Sequence, residues 1–259
     1  MVRSSEWIAF LYFSYLIVAC WWPPLTSGRR ALVIAAAALS DGAVWVVAHA
    51  APALVRDCAP LAYILAGYFL GGLLFAAPSL EIESWLMRWD RRLLGDPATR
   101  FVGWPRALVA SLELIYMGCF LLIPAGLALL LYAGHVALVD RYWTLVMGAE
   151  LAAFAPLAFI QTRPPWALER KPELADPAIH RLASQMVQHL TIRVNTFPSG
   201  HAAGSLAVAL AVIGALPGPG AVLLLLALAI CIACVVGRYH YVVDIVAGAA
   251  VAGALWLAN

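Results

Sequence analysis

Residues 221–237 read AVLLLLALAICIACVVG, an apolar stretch without a single charged side chain. Lipid supplies no water to pair with backbone N–H and C=O groups, so such a segment has to satisfy them internally, as an α-helix does. Similar stretches recur along the chain, whose 259 residues are 64% hydrophobic and 12% charged. Soluble domains carry about 25% charged residues, and a bilayer accommodates apolar surface that a soluble core cannot hide. The sequence therefore predicts an all-α, polytopic membrane helix bundle.

The apolar stretches together predict about eight transmembrane helices, because one span takes about 20 residues. The predicted spans cover residues 7–25, 31–55, 58–77, 106–134, 142–161, 200–216, 220–237 and 239–257. The fourth of these is longer than a bilayer requires, so we expect it to tilt or to kink at Pro124. We interpret residues 1–57 as two accessory N-terminal helices and residues 58–259 as a six-helix catalytic core.

Two long polar segments interrupt the spans. Residues 78–105 alternate charged and apolar side chains at helical spacing, which is typical of a helix that lies in the membrane interface. Residues 162–200 are interpreted as the active-site loop. An even number of spans places both termini on one membrane face and both polar segments on the other. That second face carries every Lys and Arg except Arg3, Arg56 and Arg141.

The sequence FPSGH at residues 197–201 directly precedes a predicted span. A helix N-terminus offers unpaired N–H groups and the positive end of a dipole, which suits a phosphate group. Gly200 lets an anion approach the backbone closely, Ser199 adds a hydroxyl donor, and His201 can exchange a proton near neutral pH. The alternative is a turn that caps the span, with His201 at the headgroup level.

The sequence RYHYVVD at residues 238–244 opens the last predicted span. His240 and Asp244 are four residues apart, so on a helix they share one face, and the carboxylate can hold one imidazole nitrogen while the other stays free to attack. The alternative is an ion pair that only stabilises the helix end. The span that starts at His201 crosses away and the next one returns, so we expect His201 and His240 to meet at one depth.

Three arginines lie on the same predicted face and are candidates for holding phosphate oxygens. Arg163 follows the fifth span in the sequence QTRPPW. Arg193 lies four residues before FPSGH, and Arg238 is the first residue of RYHYVVD. A planar guanidinium suits bidentate recognition of phosphate. The alternative for all three is anchoring of helix ends in the interface.

At these residues the sequence resembles the type 2 phosphatidic acid phosphatase superfamily. That superfamily is marked by Lys-x6-Arg-Pro, Pro-Ser-Gly-His and Ser-Arg-x5-His-x3-Asp. The second motif is complete at residues 198–201, and the third keeps His240 and Asp244. The resemblance covers about residues 58–258, which makes the six-helix core phosphatase-like, and the two accessory helices lie outside it.

Two positions depart from the family pattern. Pro156 stands where the first motif has Lys, and Cys234 stands where the third has Arg. Arg238 is two residues before His240, closer than the Arg of the third motif. The residues after the fifth span and around His240 are more similar to the branch that contains inositol phosphorylceramide synthases. Members of that branch transfer phosphoryl headgroups between lipids, which extends the expected chemistry to sphingolipid metabolism and to phosphotransfer.

The resemblance implies a membrane phosphoesterase, either a lipid phosphatase or a phosphoryl-headgroup transferase. His240 attacks phosphorus and becomes a phosphohistidine, Asp244 orients it, and His201 protonates the leaving oxygen. Ser199, Gly200 and the three arginines hold the non-bridging oxygens. Water, a lipid alcohol or an inositol hydroxyl then accepts the phosphoryl group. We expect no metal or other cofactor, because the sequence has no carboxylate cluster near the site, and no nucleic-acid partner.

Two other functional classes remain as alternatives. A transporter or flippase would bind a phosphorylated lipid without cleaving it, although binding alone needs no His–Asp pair. A haem-binding electron carrier would use His201 and His240 as axial ligands, but it would leave Ser199 and Gly200 without a role.

The expected location is a membrane such as the bacterial inner membrane. The excess of Lys and Arg on the site face would place that face in the cytoplasm, whereas the family usually has its site in the periplasm or an organelle lumen. Because several of these cations are candidates for holding phosphate, we follow the family and expect an extracytoplasmic site.

Overall fold

The computed structural model describes residues 1–169 and 177–259, so part of the predicted active-site loop 162–200 lies outside the described residues. The described α-helices are α1 (Ser4–Ala19), α2 (Ser27–Ala50), α3 (Ala53–Gly72), α4 (Leu80–Leu94), α5 (Pro97–Arg100), α6 (Arg106–Met117), α7 (Cys119–Tyr132), α8 (Val139–Phe154), α9 (Pro177–Leu190), α10 (Gly200–Ile213), α11 (Pro217–Val236) and α12 (Val242–Ala258). Within those ranges the β-structure is one isolated bridge between Thr162 and Asn195. The predicted all-α bundle is confirmed.

Each predicted span coincides with a helix or a helix pair, although several ends are shifted by a few residues. Among the described residues, α2, α3 and α11 are long and apolar enough to cross a membrane, and the bent pair α6–α7 adds a fourth span if it is counted as one. Helices α1, α10 and α12 are apolar but shorter. These helices identify a membrane protein, in which several of the predicted spans are shorter than expected.

The break in the fourth predicted span is not at Pro124. The chain bends by 59° between α6 and α7, at Gly118, while Pro124 lies inside α7. Gly118 has no side chain to resist the bend, whereas a proline inside a helix removes one backbone hydrogen bond. The predicted position of the kink is therefore wrong by about one and a half helical turns.

Side-chain contacts show that the chain reverses across the bundle as the span count predicts. Arg3 pairs with Asp57 at 2.6 Å and Arg56 pairs with Glu6 at 2.7 Å. Backbone N–H groups of the N-terminus donate to Asp140 at 3.1 Å. The N-terminus, the start of α3 and the start of α8 therefore meet at one end, opposite the two histidine sequences.

Helix α10 lies at the centre of the bundle, in contact with α7, α8, α11 and α12. Its buried face is made of small side chains, including Ala202, Ala203 and Ala207, and small residues let membrane helices approach closely. A Cβ on Gly200 would lie 2.6 Å from Phe154 of α8, so packing against α8 requires glycine there. This close packing fixes the N-terminus of α10, where the FPSGH sequence lies.

The amphipathic helix predicted within residues 78–105 is α4, whose N-cap Ser79 accepts from the N–H of Ile82. Its buried side includes Leu86 together with two carboxylates, Glu83 and Asp90, while Trp85 is partly exposed. The sequence identified the helix correctly but not the inward direction of its acidic residues.

Candidate active site

Ser199 is the N-cap of α10 and is fully buried. Its hydroxyl oxygen accepts from the N–H of Ala202 at 3.3 Å, and the N–H of Gly200 donates to the Thr196 hydroxyl at 3.2 Å. Two of the N–H groups predicted to face an anion are thus satisfied within the chain. The N–H of His201 has no acceptor among the described residues, so it is the backbone donor of this turn that a ligand can use.

The two histidines meet, as the span count predicted. His240 Nε2 lies 3.3 Å from His201 Nδ1, and His240 Nδ1 lies 3.3 Å from Asp244 Oδ2. However, His240 lies in the link before α12 and does not share a helix face with Asp244, because α12 begins at Val242. Asp244 reaches back from the first turn, where its Oδ2 also accepts from the N–H of Tyr241 at 3.0 Å. The contact between Asp244 and His240 therefore arises from the capping of α12.

This geometry determines which nitrogen of His240 is free. A carboxylate accepts hydrogen bonds, so the Nδ1 that faces Asp244 carries the hydrogen and Nε2 presents a lone pair towards His201. Burial lowers the pKa of His240 to about 3, so the imidazole is neutral near pH 7. His201 Nε2 has no hydrogen-bond partner in the described part of the chain. An unpaired polar atom at a buried site is a position for a ligand.

Aromatic rings hold His201 from the other side. The Tyr116 ring stacks on the His201 ring with centroids 5.2 Å apart, and Tyr239 stacks on Tyr116 at 3.9 Å. The Ser205 hydroxyl donates to the His201 carbonyl at 2.5 Å. The imidazole is therefore fixed by stacking.

Arg163 is held by a carboxylate of α4. Its Nε and Nη2 donate to the two Glu83 carboxylate oxygens at 3.0 and 2.8 Å, and its backbone N–H donates at 2.8 Å. Burial raises the pKa of the Glu83 carboxyl, but the hydrogen bonds and charge of Arg163 outweigh burial, so that pKa lies below its ordinary value. The Arg163 side chain keeps 38% of its surface exposed.

Arg238 is enclosed by two carboxylates and its side chain is 2% exposed. Its Nη1 donates to Asp90 at 2.9 Å, and its Nε and Nη2 donate to Glu169 at 2.9 and 3.1 Å. Burial raises the pKa of Asp90 above its ordinary value, despite the N–H of Val242 and the charge of Arg238. The backbone of Arg238 has φ of 59°, which non-glycine residues rarely adopt, so these contacts fix the link that carries His240.

Arg193, the third predicted arginine, is exposed. Its backbone N–H donates to Thr191 at 3.2 Å, and its side chain forms no ion pair with a described residue.

The structure thus brings Ser199, Gly200, His201, His240 and Asp244 together. Arg238 lies in the link that carries His240, and the Arg163 carbonyl accepts from the Tyr241 hydroxyl at 3.1 Å. Sequence reasoning missed three carboxylates that pair with these arginines. Glu83 pairs with Arg163, and Asp90 and Glu169 pair with Arg238. For the pair on α4 a signal existed, because residues seven apart on a helix share one face.

An apolar cavity of about 240 Å³ opens beside the histidines. His201 and His240 form part of its wall, and Leu61, Ile64 and Phe120 line it at the apolar side. Such a cavity suits a hydrocarbon group attached to a phosphate.

An oriented histidine pair at a helix N-terminus, inside a helical membrane bundle, defines a phosphatase-type membrane phosphoesterase. A family model of the PAP2 superfamily matches residues 84–258, and the chain belongs to that superfamily. The match begins within α4, later than the predicted start near residue 58, and includes both histidine sequences. No curated protein and no solved structure matches the chain.

Proposed function

We propose that this protein cleaves lipid phosphate esters through a phosphohistidine formed on His240. The observation that carries the proposal is the position of His240, whose Nδ1 faces Asp244 and whose Nε2 faces His201 at 3.3 Å each. A neutral imidazole held in one tautomer is an activated nucleophile, and the cavity beside it suits the lipid part of a substrate.

In the first step, the Nε2 lone pair of His240 forms a bond to phosphorus while the bond to the ester oxygen breaks. His201, in its imidazolium form, donates a proton to that leaving oxygen and becomes neutral. In the second step, the oxygen of water or of an alcohol forms a bond to phosphorus, the P–N bond breaks, and His201 takes the proton of the acceptor. Asp244 stabilises the positive charge on His240 throughout.

The contact between the two rings has to open before the first step. A nucleophile and phosphorus approach to about 3–3.5 Å in a reactive complex, and the two ring nitrogens are themselves only 3.3 Å apart. Phosphorus cannot fit between them, so substrate binding has to replace this hydrogen bond and leave His201 beside the leaving oxygen.

Phosphate oxygens are held, in this proposal, by the Ser199 hydroxyl, by the backbone N–H of His201 and by the exposed arginines, whereas the Gly200 N–H already donates to Thr196. Arg163 is neutralised by Glu83 on one edge but keeps an exposed surface, and Arg193 is exposed. Arg238 has no such freedom, because Nε, Nη1 and Nη2 all donate to carboxylates. We therefore propose that Arg238 positions the His240 link.

The acceptor determines whether the protein is a phosphatase or a headgroup transferase. Water gives hydrolysis, whereas a lipid alcohol or inositol hydroxyl gives transfer, as in the inositol phosphorylceramide synthase branch. We propose that neither reaction requires a metal, and that the site faces the extracytoplasmic side of a membrane such as the bacterial inner membrane.

The test uses the purified protein with candidate lipid phosphates, each with and without inositol or a lipid alcohol, and identifies products by mass spectrometry. We expect loss of phosphate or headgroup transfer that survives a metal chelator and disappears in His240→Ala, with a labelled phosphohistidine trapped in the wild type. Full turnover by His240→Ala would refute the mechanism. Lipid binding without turnover in the wild type would favour a transporter.

A further inference from the structure

Glu150 lies in the last third of α8, and the catalytic steps do not use it. Its carboxyl group lines the cavity beside His201 and His240, and the residue is 8% exposed. It forms no hydrogen bond or ion pair with a described residue. Because a carboxyl group buried in an apolar environment is costly without a partner, and ionisable residues inside membrane helices are commonly functional, a ligand is the expected partner.

The position of the carboxyl is set by two glycines of α10. A Cβ on Gly200 would lie 3.0 Å from Glu150 Oε2, and a Cβ on Gly204 would overlap Oε1. The carboxyl therefore lies against α10 between these residues, up to one turn deeper in the bundle than the phosphate site at the helix N-terminus.

The remaining wall leaves few other acceptors for a polar group at this depth. Leu61, Ile64 and Phe120 are apolar. The Ser205 hydroxyl is bonded to the His201 carbonyl, and the Tyr68 hydroxyl oxygen already accepts from a backbone N–H. Glu150 is the one carboxyl group among the described residues that line the cavity, so a donor on a substrate that extends from the histidines can pair with it.

We propose that Glu150 is a specificity-determining residue that accepts a hydrogen bond from a hydroxyl or amide N–H of the lipid substrate. The donor lies about four single bonds from phosphorus, since that length matches the rise of about 5.4 Å in one helix turn. Lipid phosphates with a hydroxyl or amide on the second carbon from the ester oxygen have this form. This inference rests on the proposed function.

The test compares two substrates that differ only in the donor: a 1-acylglycerol 3-phosphate, with its free 2-hydroxyl, and its 2-deoxy analogue. Because the hydroxyl would satisfy a buried carboxyl, we expect the wild type to prefer it in kcat/KM by about 10- to 100-fold. Glu150→Leu should reduce that ratio to about 1, and Glu150→Gln should keep part of it, since its carbonyl still accepts.

Leu61→Ala is the matched control on the same wall. It should lower kcat/KM for both substrates and leave their ratio near the wild-type value, because it removes contact with the hydrocarbon only. An unchanged ratio in Glu150→Leu, or no preference in an active wild type, would overturn the inference. If Glu150→Leu does not fold, Glu150→Gln provides the test. A Glu150→Gln variant with the wild-type preference between the two substrates and the full wild-type kcat/KM would also overturn the inference.

Failure of the proposed function gives a different result. In that case wild type and His240→Ala would both leave the two substrates intact, and the inference would fall with it. Turnover that depends on His240 but ignores the 2-hydroxyl would overturn the role of Glu150 alone.

Discussion

Replacing Asp244 by Asn should inactivate the protein by removing the negative charge beside His240. Asp244 Oδ2 accepts from the Tyr241 N–H at 3.0 Å and faces His240 Nδ1 at 3.3 Å. An amide oxygen in the place of Oδ2 can still accept from both groups. The Asn side chain carries no charge, however, so it does not stabilise the positive charge that develops on His240 when Nε2 attacks phosphorus.

The size of the expected loss follows from this change of charge. The same substitution in the Ser-His-Asp triad of a serine protease lowers kcat about 10⁴-fold with the geometry intact, a loss that includes a change of tautomer and therefore sets the upper bound here. Here the aspartate also caps α12, and losing a charged hydrogen bond costs about 1.5–3 kcal/mol of folding stability. We expect kcat for lipid phosphate to fall about 10³- to 10⁴-fold, with a lower unfolding temperature.

The assay is phosphate release in detergent micelles, with thermal unfolding followed in the same preparation. Asp140→Asn is the matched control, because Asp140 accepts from the N-terminal backbone at the opposite end of the bundle and should lose stability without losing turnover. A folded Asp244→Asn variant within tenfold of wild-type kcat would refute the role of the Asp244 charge in activating His240.

Three further predictions concern the surroundings of the site. Glu83→Gln breaks the bidentate pair on α4 and should reduce the free energy of unfolding by about 1–2 kcal/mol, because the pair is buried on one side only. Since the Glu83 pKa is lowered in the folded protein, this contribution is present above the ordinary pKa and disappears as the pH falls through the folded value. His240, whose pKa is about 3, should stay unprotonated between about pH 5 and 7 in an NMR titration of its imidazole. Gly248→Ala places a Cβ 2.5 Å from the Ser199 carbonyl oxygen and should cost about 1–3 kcal/mol of stability, whereas Gly253→Ala on the same helix, with nothing within 4 Å, should be neutral or stabilising in thermal unfolding.

Each of these predictions can fail on its own. An unfolding midpoint of Glu83→Gln equal to that of the wild type near pH 7 would mean that the ion pair adds nothing to stability. A His240 titration centred near its ordinary pKa would mean that the imidazole is not buried as described. Equal effects of the two glycine substitutions would contradict the close approach of α12 to Ser199.

Local sequence features were enough to predict the helices and to select the candidate reactive residues. Long apolar stretches determine helices wherever water is absent, and FPSGH and RYHYVVD supplied the residue types for phosphate chemistry. The span count also placed His201 and His240 together, because alternate crossings return the chain to the same end. These inferences require only the order of the residues.

Two predictions, the kink at Pro124 and the shared helix face of His240 and Asp244, were wrong for a common reason. Both assumed an uninterrupted helix, at Pro124 and at His240, whereas the chain bends at Gly118 and enters α12 only at Val242. Helix ends depend on capping and on neighbouring helices as well as on local sequence.

The sequence by itself determined the membrane bundle, the PAP2 resemblance and the candidate reactive residues. Only the tertiary structure decided how their charges are balanced: α4 brings Glu83 to Arg163 and Asp90 to Arg238, and α8 brings Glu150 to the cavity. These partners lie many residues away, and their pairing depends on which faces of separate helices meet. Helix periodicity predicts which residues share a face, whereas packing between helices decides what that face contacts.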